Sequence, residues 1–469
     1  MKSKQVIWLP LAFLGLLTAC QSDTSNLKNQ NVALQLQQKA LASDLGYQIV
    51  ESLTVEVGPR MAGTEKDIQA VNWAVTKLES LGFDKVYKEA VEVPVWVRGD
   101  ASAYVTAPFT QPLVITALGG SVATPEKGVT AEIVRFDTLD ALKAASTQEV
   151  EGKIVFIDHK TERHIDGKGY GITVRGRSKG AVTAAEKGAV AIVIRSIGTD
   201  SDRMAHTGMM RYKEGVPRIP AAAMSNPDAD LINGMLKRTD SVTLQLYLSP
   251  ESRGTATSYN VIAEVTGSSK PEEIVLIGAH LDSWDEGTGA IDDGAGVGIV
   301  TAAAKLIQEL PQKPARTVRV VLYAAEEIGL VGGKAYARDH QQELAKHYIA
   351  AESDFGAGRI YRLDVRVNDS AFADIQSLTG VMAENGVMPG NNEANGGPDV
   401  SMLPDYGVPV ATLRQDGRDY FDYHHTPNDT LDKIDPAALA QNVAAYAQFA
   451  WLMAQSEVEL RPIPAKQDK

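Results

Sequence analysis

The sequence is short of cysteine and of basic residues. Cys20 is the only cysteine among 469 residues, which excludes an internal disulfide. Lysine and arginine together number 46 against 59 aspartate and glutamate residues, for a formal net charge of -13 at pH 7. Because nucleic-acid binding requires clustered cations and no basic stripe is present, we do not expect a nucleic-acid partner.

The first twenty residues have the order of an export signal. Lys2 and Lys4 precede the apolar run VIWLPLAFLGLL, and the run leads into LTAC, which ends at Cys20. This run is too short to span a bilayer, so residues 1–20 are predicted to be a signal peptide. LTAC resembles the bacterial lipobox, in which the cysteine becomes the lipidated first residue. Plain secretion with an incidental cysteine is the alternative.

The residues after Cys20 fit an anchored protein. The polar stretch QSDTSNLKNQ predicts a tether over residues 21–31. Gln21, rather than an aspartate, follows the cysteine, which resembles an outer-membrane address in bacterial lipoproteins. We therefore expect an exported protein of the bacterial cell envelope, lipid-anchored at the outer membrane on its periplasmic face or at the cell surface.

The rest of the chain divides into three stretches. Residues 32–100 are predicted to form the first part of the main domain, whose second part is residues 254–469. The pattern predicts helices over residues 32 to about 56 and 67–83, with the loop VGPRMAGTEKD between them. Residues 101–253 contain short apolar strands separated by Gly, Pro and Asp and one clear helix, SKGAVTAAEKGA, which predicts a separate inserted β-rich domain. Residues 254–469 alternate strand and helix, which predicts the α/β class with a mostly parallel central sheet flanked by helices.

Candidate functional side chains gather at the ends of the predicted strands in this last stretch. Ligands bind outside the carboxyl ends of the strands in open α/β sheets, so side chains at these positions are expected to meet. The candidates lie in the motifs HLD, DDGAG, EE, ESD and YHHTPNDT, and they are His280, Asp282, Asp292, Glu326, Glu327, Asp354, His424 and His425.

Taken in this order, the motifs resemble the co-catalytic dizinc aminopeptidase family, the clan MH metallopeptidases that include carboxypeptidase Q. GPRMAGTEKD resembles the entry loop of that family. GKIVFI, AAEKGAVAIVIRS and IPAAAMS resemble the protease-associated domain inserted in some members. The resemblance implies a zinc exopeptidase fold that carries such an inserted domain over residues 101–253, with the metal site in residues 254–469.

The resemblance also implies a ligand set for two zinc ions per chain. Asp292 would bridge both ions. His280 and Asp354 would complete one ion, and Glu327 and His425 the other, a mixture of imidazole and carboxylate that suits zinc. Two ions roughly 3.5–4 Å apart can clamp one hydrolytic water and one carbonyl oxygen.

Catalytic roles follow from the same resemblance. Successive residues of an extended strand point to opposite sides, so Glu327 can bind metal while Glu326 faces the substrate as general base and acid. Asp282 would accept the outer ring N–H of His280 and fix its tautomer. His424 would be a neighbour that lines the pocket. Asp399, in GGPDVSML, is either the aspartate that relatives carry there or a turn residue.

The resulting hypothesis is a zinc exopeptidase that hydrolyses short peptides or dipeptides from a free terminus by a metal-bridging hydroxide. Aminopeptidase, carboxypeptidase and strict dipeptidase activities all remain open, as does a homodimer. The inserted block is large enough to cover the mouth of the site, and the acidic balance is expected to favour a cationic terminus. The alternatives are a catalytically silent binding ectodomain of the same fold and a dizinc hydrolase of another amide or ester.

Replacing Cys20 by serine should release the protein from membranes in its native host, because anchoring depends on the acyl chains attached at that residue. Fractionation of membranes, followed by immunoblotting of both fractions, measures the effect. A variant that stays in the membrane fraction unchanged would contradict the lipobox interpretation.

Overall fold

The computed structural model describes residues 14–465, with side chains described from residue 26 onward. Residues 1–13 of the predicted signal peptide therefore lie outside the described residues, and the side chain of Cys20 lies outside the described side chains. Within the described part of the chain, no helix combines the length and the apolar character needed to cross a membrane.

The described residues form helices and strands along the whole chain. The helices are α1 (Leu14–Leu41), α2 (Leu45–Glu56), α3 (Glu65–Ser80), α4 (Leu139–Ala144), α5 (Thr147–Val150), α6 (Lys168–Ala185), α7 (Asn226–Leu236), α8 (Ala295–Gln308), α9 (Val331–Asp339), α10 (Phe372–Thr379), α11 (Tyr420–Tyr423) and α12 (Pro436–Gln455). The strands are β1 (Lys85–Val97), β2 (Ala101–Ala107), β3 (Gln111–Leu113), β4 (Ile115–Ala117), β5 (Val129–Phe136), β6 (Ile154–Ile157), β7 (Ala191–Arg195), β8 (Ala221–Met224), β9 (Thr243–Leu248), β10 (Glu251–Val265), β11 (Lys270–His280), β12 (Arg316–Tyr323), β13 (His347–Glu352), β14 (Ile360–Arg366), β15 (Met388–Pro389) and β16 (Val410–Gln415).

The first sheet has the strand order β1-β10-β12-β11-β13-β16-β14-β15. Its centre, β12-β11-β13-β16, is parallel. β1 pairs antiparallel with β10, β10 with β12, and β14 with β16, whereas β15 is parallel to β14. The predicted α/β class with a mostly parallel central sheet is therefore confirmed. Because parallel strands end at the same edge, the residues that follow β11, β12, β13 and β16 are brought together.

Helices cover both faces of this sheet. Val275 and Ile277 of β11 pack in the core with α8 and α12, while Ile274 and Leu276 pack on the other face with α9. Burial on both faces explains why the central strands read as continuous apolar runs in the sequence. Trp451 of α12 is fully buried in this core.

The structure differs from the sequence analysis over residues 21–31, where α1 continues through the predicted tether. The indole N–H of Trp451 donates to the carbonyl of Asn29 at 3.2 Å, and Leu36 is fully buried. Residues 21–31 are polar, and the apolar side chains that α1 packs against α12 begin only at Ala33. The sequence pattern therefore predicts a tether where the structure has a helix. The helical prediction for residues 32–56 holds apart from a break between α1 and α2.

The second sheet has the order β3-β2-β9-β5-β6-β7-β8-β4, and its strands lie between residues 101 and 248. Four helices, α4 to α7, accompany this sheet, whereas the sequence analysis expects one helix in this part of the chain. Gly169, Gly171 and Gly176 in the first part of α6 lower its helix propensity, which hides the helix from the sequence pattern. This part of the chain is called the inserted domain below.

The inserted domain leaves the first sheet and returns to it at one place. β1 and β10 pair antiparallel from Lys85 with Glu264 to Val97 with Glu251, with a register shift between Pro94 and Trp96. Both connections to the inserted domain therefore leave from the same end of one strand pair, which we call the stalk.

Candidate metal centre

The ends of β11 and β12 bring His280, Glu326 and Glu327 together. His280 is the last residue of β11 and pairs in register with Tyr323, the last residue of β12. Glu326 and Glu327 follow Tyr323 but lie in a turn, where Ala325 has a left-handed φ of 56°. The expectation that they occupy an extended strand is wrong, because the parallel pairing ends at Tyr323 and the backbone turns at once.

Asp282 holds this turn in place. Its carboxylate accepts the backbone N–H groups of Glu326 at 2.9 Å and Glu327 at 3.3 Å. The Nδ1 atom of His280 lies 3.0 Å from the backbone carbonyl of Asp282 and 3.5 Å from its carboxylate. The backbone carbonyl is therefore the nearer acceptor for the His280 ring, and the carboxylate of Asp282 mainly fixes the two glutamates.

Asp292 lies between two imidazoles. Its Oδ1 atom is 3.0 Å from Nε2 of His280, and its Oδ2 atom is 3.3 Å from Nε2 of His425. Asp354 comes within 3.6 Å of His280, and Glu327 within 3.0 Å of His425. The result is two groups of candidate metal ligands that share Asp292, the same division that the family resemblance implies.

The two adjacent histidines stack on each other with ring centroids 3.5 Å apart. His424 is also near the shared carboxylate, since its Nε2 atom lies 3.6 Å from Oδ2 of Asp292. Both rings could contribute a ligand atom with Asp292. Of the two rings, that of His425 lies close to Glu327, with Nε2 3.0 Å from its carboxylate.

The electrostatics of this cluster fit divalent cations. Burial raises the pKa of Glu326 and of Glu327 well above the ordinary value, and neighbouring carboxylates raise both further. Burial also acts to raise the pKa of Asp292, but its contacts with His280 and His425 outweigh it and hold that pKa well below the usual range. The Oε1 atom of Glu327 is buried without a hydrogen-bond partner among the described residues. Bound cations would offset these unpaired buried charges.

Asp399 lies in a turn, as one of its two alternatives predicts, and its side chain is buried. It is 1% exposed, and its Oδ1 atom accepts the backbone N–H of Gly333 at 3.1 Å. Burial raises its pKa to about 8, and the carboxylates of Asp282 and Asp354 act in the same direction. Asp399 therefore belongs to the same buried group of carboxylates as Asp282 and Asp354.

Arg60 and Asp429 position the loop that carries Asp292, and the sequence analysis misses both roles. The guanidinium of Arg60 is fully buried and donates to the carbonyls of Thr288 at 2.8 Å and Gly289 at 2.9 Å. Asp429 accepts the backbone N–H groups of Ile291 at 2.6 Å and Asp292 at 3.2 Å. Both residues fall inside the quoted motifs GPRMAGTEKD and YHHTPNDT, which is the signal that could have identified them.

The site opens into a cavity of about 860 Å³ that the inserted domain helps to enclose. Tyr170, Arg177, Arg211 and Lys213 line it from that domain, opposite Asp292, Glu326, Glu327, Asp354, His424 and His425. The buried Arg177 donates to the Tyr170 hydroxyl at 2.6 Å, and its Nε atom has no partner among the described residues. The inserted domain therefore adds cationic side chains to the cavity wall, which the negative net charge of the chain does not reveal.

Comparisons with known proteins identify a peptidase family, sequence relatives and solved structures that resemble this chain. A model of Peptidase family M28 matches residues 260–450. Carboxypeptidase Q of Rattus norvegicus is 36% identical over 411 residues, which cover 88% of this chain and 85% of the relative. A crystal structure of a Peptidase M28 precursor from Shewanella amazonensis SB2B is 71% identical, covers 94% of this chain and 100% of that one, and has a TM-score of 0.93.

A more distant solved structure shares the fold. BSAP, a zinc aminopeptidase from Bacillus subtilis, is 19% identical, with a TM-score of 0.60 over 86% of this chain and 93% of that one. The sequence match to carboxypeptidase Q spans most of both chains, so it includes the inserted domain as well as the ligand motifs. The chain belongs to peptidase family M28, because it is homologous to carboxypeptidase Q over most of its length and the family model matches the stretch that carries the strand-end motifs.

Proposed function

We propose that the protein is a zinc-dependent exopeptidase that hydrolyses short peptides or dipeptides from a free terminus. The observation that carries this proposal is the pair of ligand groups that share Asp292 on the floor of a cavity covered by the inserted domain. Carboxypeptidase Q and the zinc aminopeptidase of Bacillus subtilis, by their names, act on chain ends, which supports the exopeptidase assignment.

The residues of the site suit two zinc ions. His280, Asp292 and Asp354 would hold one ion, and Asp292, Glu327 and His425 the other. Imidazole and carboxylate ligands together are typical of zinc sites. Zinc bound there would act as a Lewis acid toward a water molecule and the substrate carbonyl oxygen.

Glu326 is suited to move the proton. Its carboxylate lines the cavity, and none of the residues that the structure describes makes a hydrogen bond or ion pair to it. Asp282 fixes its backbone, so the side chain starts from a defined position. Burial raises its pKa, which makes it a stronger base than an exposed glutamate, able to take a proton from water and donate it to the leaving amine.

The inserted domain suits the cavity to a chain end that carries a carboxylate. Arg211 is exposed on the cavity wall, and no described residue is recorded as its partner. Together with the unpartnered Nε atom of Arg177 it offers N–H donors to a carboxylate, the acceptor that guanidinium groups match best. A short peptide has such a group close to its scissile bond, whereas an internal segment of a long chain does not.

Elemental analysis of the purified protein should find about two zinc ions per chain, because two ligand groups are present. Removing the metal with a chelator should abolish hydrolysis and lower the unfolding temperature, since binding stabilises only the folded state. Readdition of zinc should restore both. Full activity in metal-free protein would refute the proposed site.

The variant Glu326→Gln should keep its zinc and lose turnover by roughly 10²- to 10⁴-fold, because the base is removed while the ligands remain. Metal content and kcat are the two measurements. Glu327→Gln is the matched control, and it should lose metal as well as activity. If the two variants exchange these outcomes, the roles of Glu326 and Glu327 are reversed.

Unblocked dipeptides should be cleaved, and both N-acetylation and C-terminal amidation should lower kcat/KM. The variant Arg211→Ala should raise KM for free-acid substrates by roughly tenfold, since one charge-assisted hydrogen bond is lost, and should change KM for amides little. Arg175→Ala, an exposed arginine of α6 outside the cavity, is the control. Internal cuts in a long peptide, seen by mass spectrometry, would contradict the exopeptidase assignment.

A further inference from the structure

A short segment of the inserted domain, residues 206–208, runs against the two adjacent histidines. The Nδ1 atom of His206 lies 2.8 Å from the carbonyl of His424, and the backbone N–H of Thr207 donates to the carbonyl of His425 at 3.0 Å. In return, Nδ1 of His425 lies 3.3 Å from the carbonyl of Thr207. We call this set of three contacts the clasp.

The clasp acts on a backbone conformation that needs support. His425 has a φ of 61°, in the left-handed region, which costs a residue with a Cβ about 1–2 kcal/mol. Hydrogen bonds to the carbonyls on both sides of its Cα hold the peptide units in this conformation. Gly208 allows the close approach, because a Cβ there would lie 2.8 Å from Nδ1 of His425 and closer still to Arg177.

The contact at Thr207 also sets the tautomer of His425. A backbone carbonyl only accepts hydrogen bonds, so Nδ1 of His425 carries the proton and donates it to Thr207. Nε2 is then left with a free lone pair, and it is Nε2 that lies near Asp292 and Glu327. This is the arrangement in which a histidine binds metal while its other nitrogen is fixed from behind.

His206 is itself held so that its ring cannot turn away. Its side chain is 1% exposed, and its Nε2 atom lies 2.5 Å from the carboxylate of Asp200, which is 5% exposed. Its backbone N–H donates to the hydroxyl of Ser196 at 2.8 Å. The ring therefore bridges the core of the inserted domain and the carbonyl of His424.

We propose that His206 and Thr207 are positioning residues of the metal centre, so that the inserted domain completes one of its two ligand groups. The clasp supports His425 and leaves His280 and Asp354 untouched, so its effect falls on the ion that Glu327 and His425 hold. This inference rests on the proposed metal site and extends it by making the inserted domain part of that site.

Zinc titration of metal-free variants, by competition with a chromophoric chelator, tests the inference. His206→Ala should lower the affinity for one of the two zinc ions by about tenfold or more, the usual cost of losing a residue that orients a metal ligand. The affinity for the other ion should not change. His206→Asn should recover most of the affinity, because its amide places an N–H donor near the position of Nδ1. The half-buried His164, whose ring contacts Glu162 at 3.4 Å, provides the matched control His164→Ala.

The outcomes separate this inference from the proposed function. Wild-type protein that binds no zinc refutes the proposed metal site. Wild-type protein that binds two ions, with His206→Ala unchanged at both, overturns only the role of His206. An equal loss of affinity for both ions in His206→Ala also overturns it, as does a failure of His206→Asn to recover the affinity, since either result indicates general loss of structure.

A measurement on the wild-type protein does not depend on the folding of any variant. Coupling between two sites is reciprocal, so zinc that binds better through the clasp must also stabilise the clasp. Hydrogen–deuterium exchange should slow at the backbone amide of Thr207 when zinc is added, and more than at amides of β2 and β3 at the far edge of the inserted domain. Equal effects at both places would overturn the inference.

Discussion

The burial of several like charges at one edge of a sheet is the constraint on which the rest of the structure depends. Asp292, Glu326, Glu327 and Asp354 lie together with little access to water, and burial raises the pKa of the two glutamates. Such a cluster is costly unless cations offset its charge, and it keeps a useful geometry only if its backbone is held rigidly. Much of the polar structure around the site provides that rigidity.

Three parts of the site are supported by neighbours outside the candidate ligands. Asp282 fixes the turn at Glu326 and Glu327, while Asp429 fixes the loop at Asp292. The backbone at His425 is supported from the inserted domain. Loss of the support at His425 is therefore expected to disturb one group, whereas loss of the support at Asp292 is expected to disturb both, because the two groups share Asp292.

The sequence predicts the scaffold well and the contacts between its parts poorly. β11, β12, β13 and β16 are buried on both faces, so their apolar runs can be read directly, and the polar residues after each run identify most of the site. The turn at Ala325 has no such signal, because a left-handed alanine is imposed by tertiary contacts rather than by local preference. His206 and Arg177 escape prediction for a similar reason, since they lie more than 200 residues from the histidines they approach and no periodicity links them.

The stalk has a consequence for how the cavity can open. Since both connections leave from the end of the β1 and β10 pair, a movement of the inserted domain that opened the cavity would turn about that end, near the irregular register at Pro94 and Trp96. The clasp lies close to that end, because Arg98, the residue that follows β1, donates to the hydroxyl of Thr207 at 2.9 Å. A swing about that end would therefore displace the clasp least, so the cavity could open while His425 keeps its support from the inserted domain.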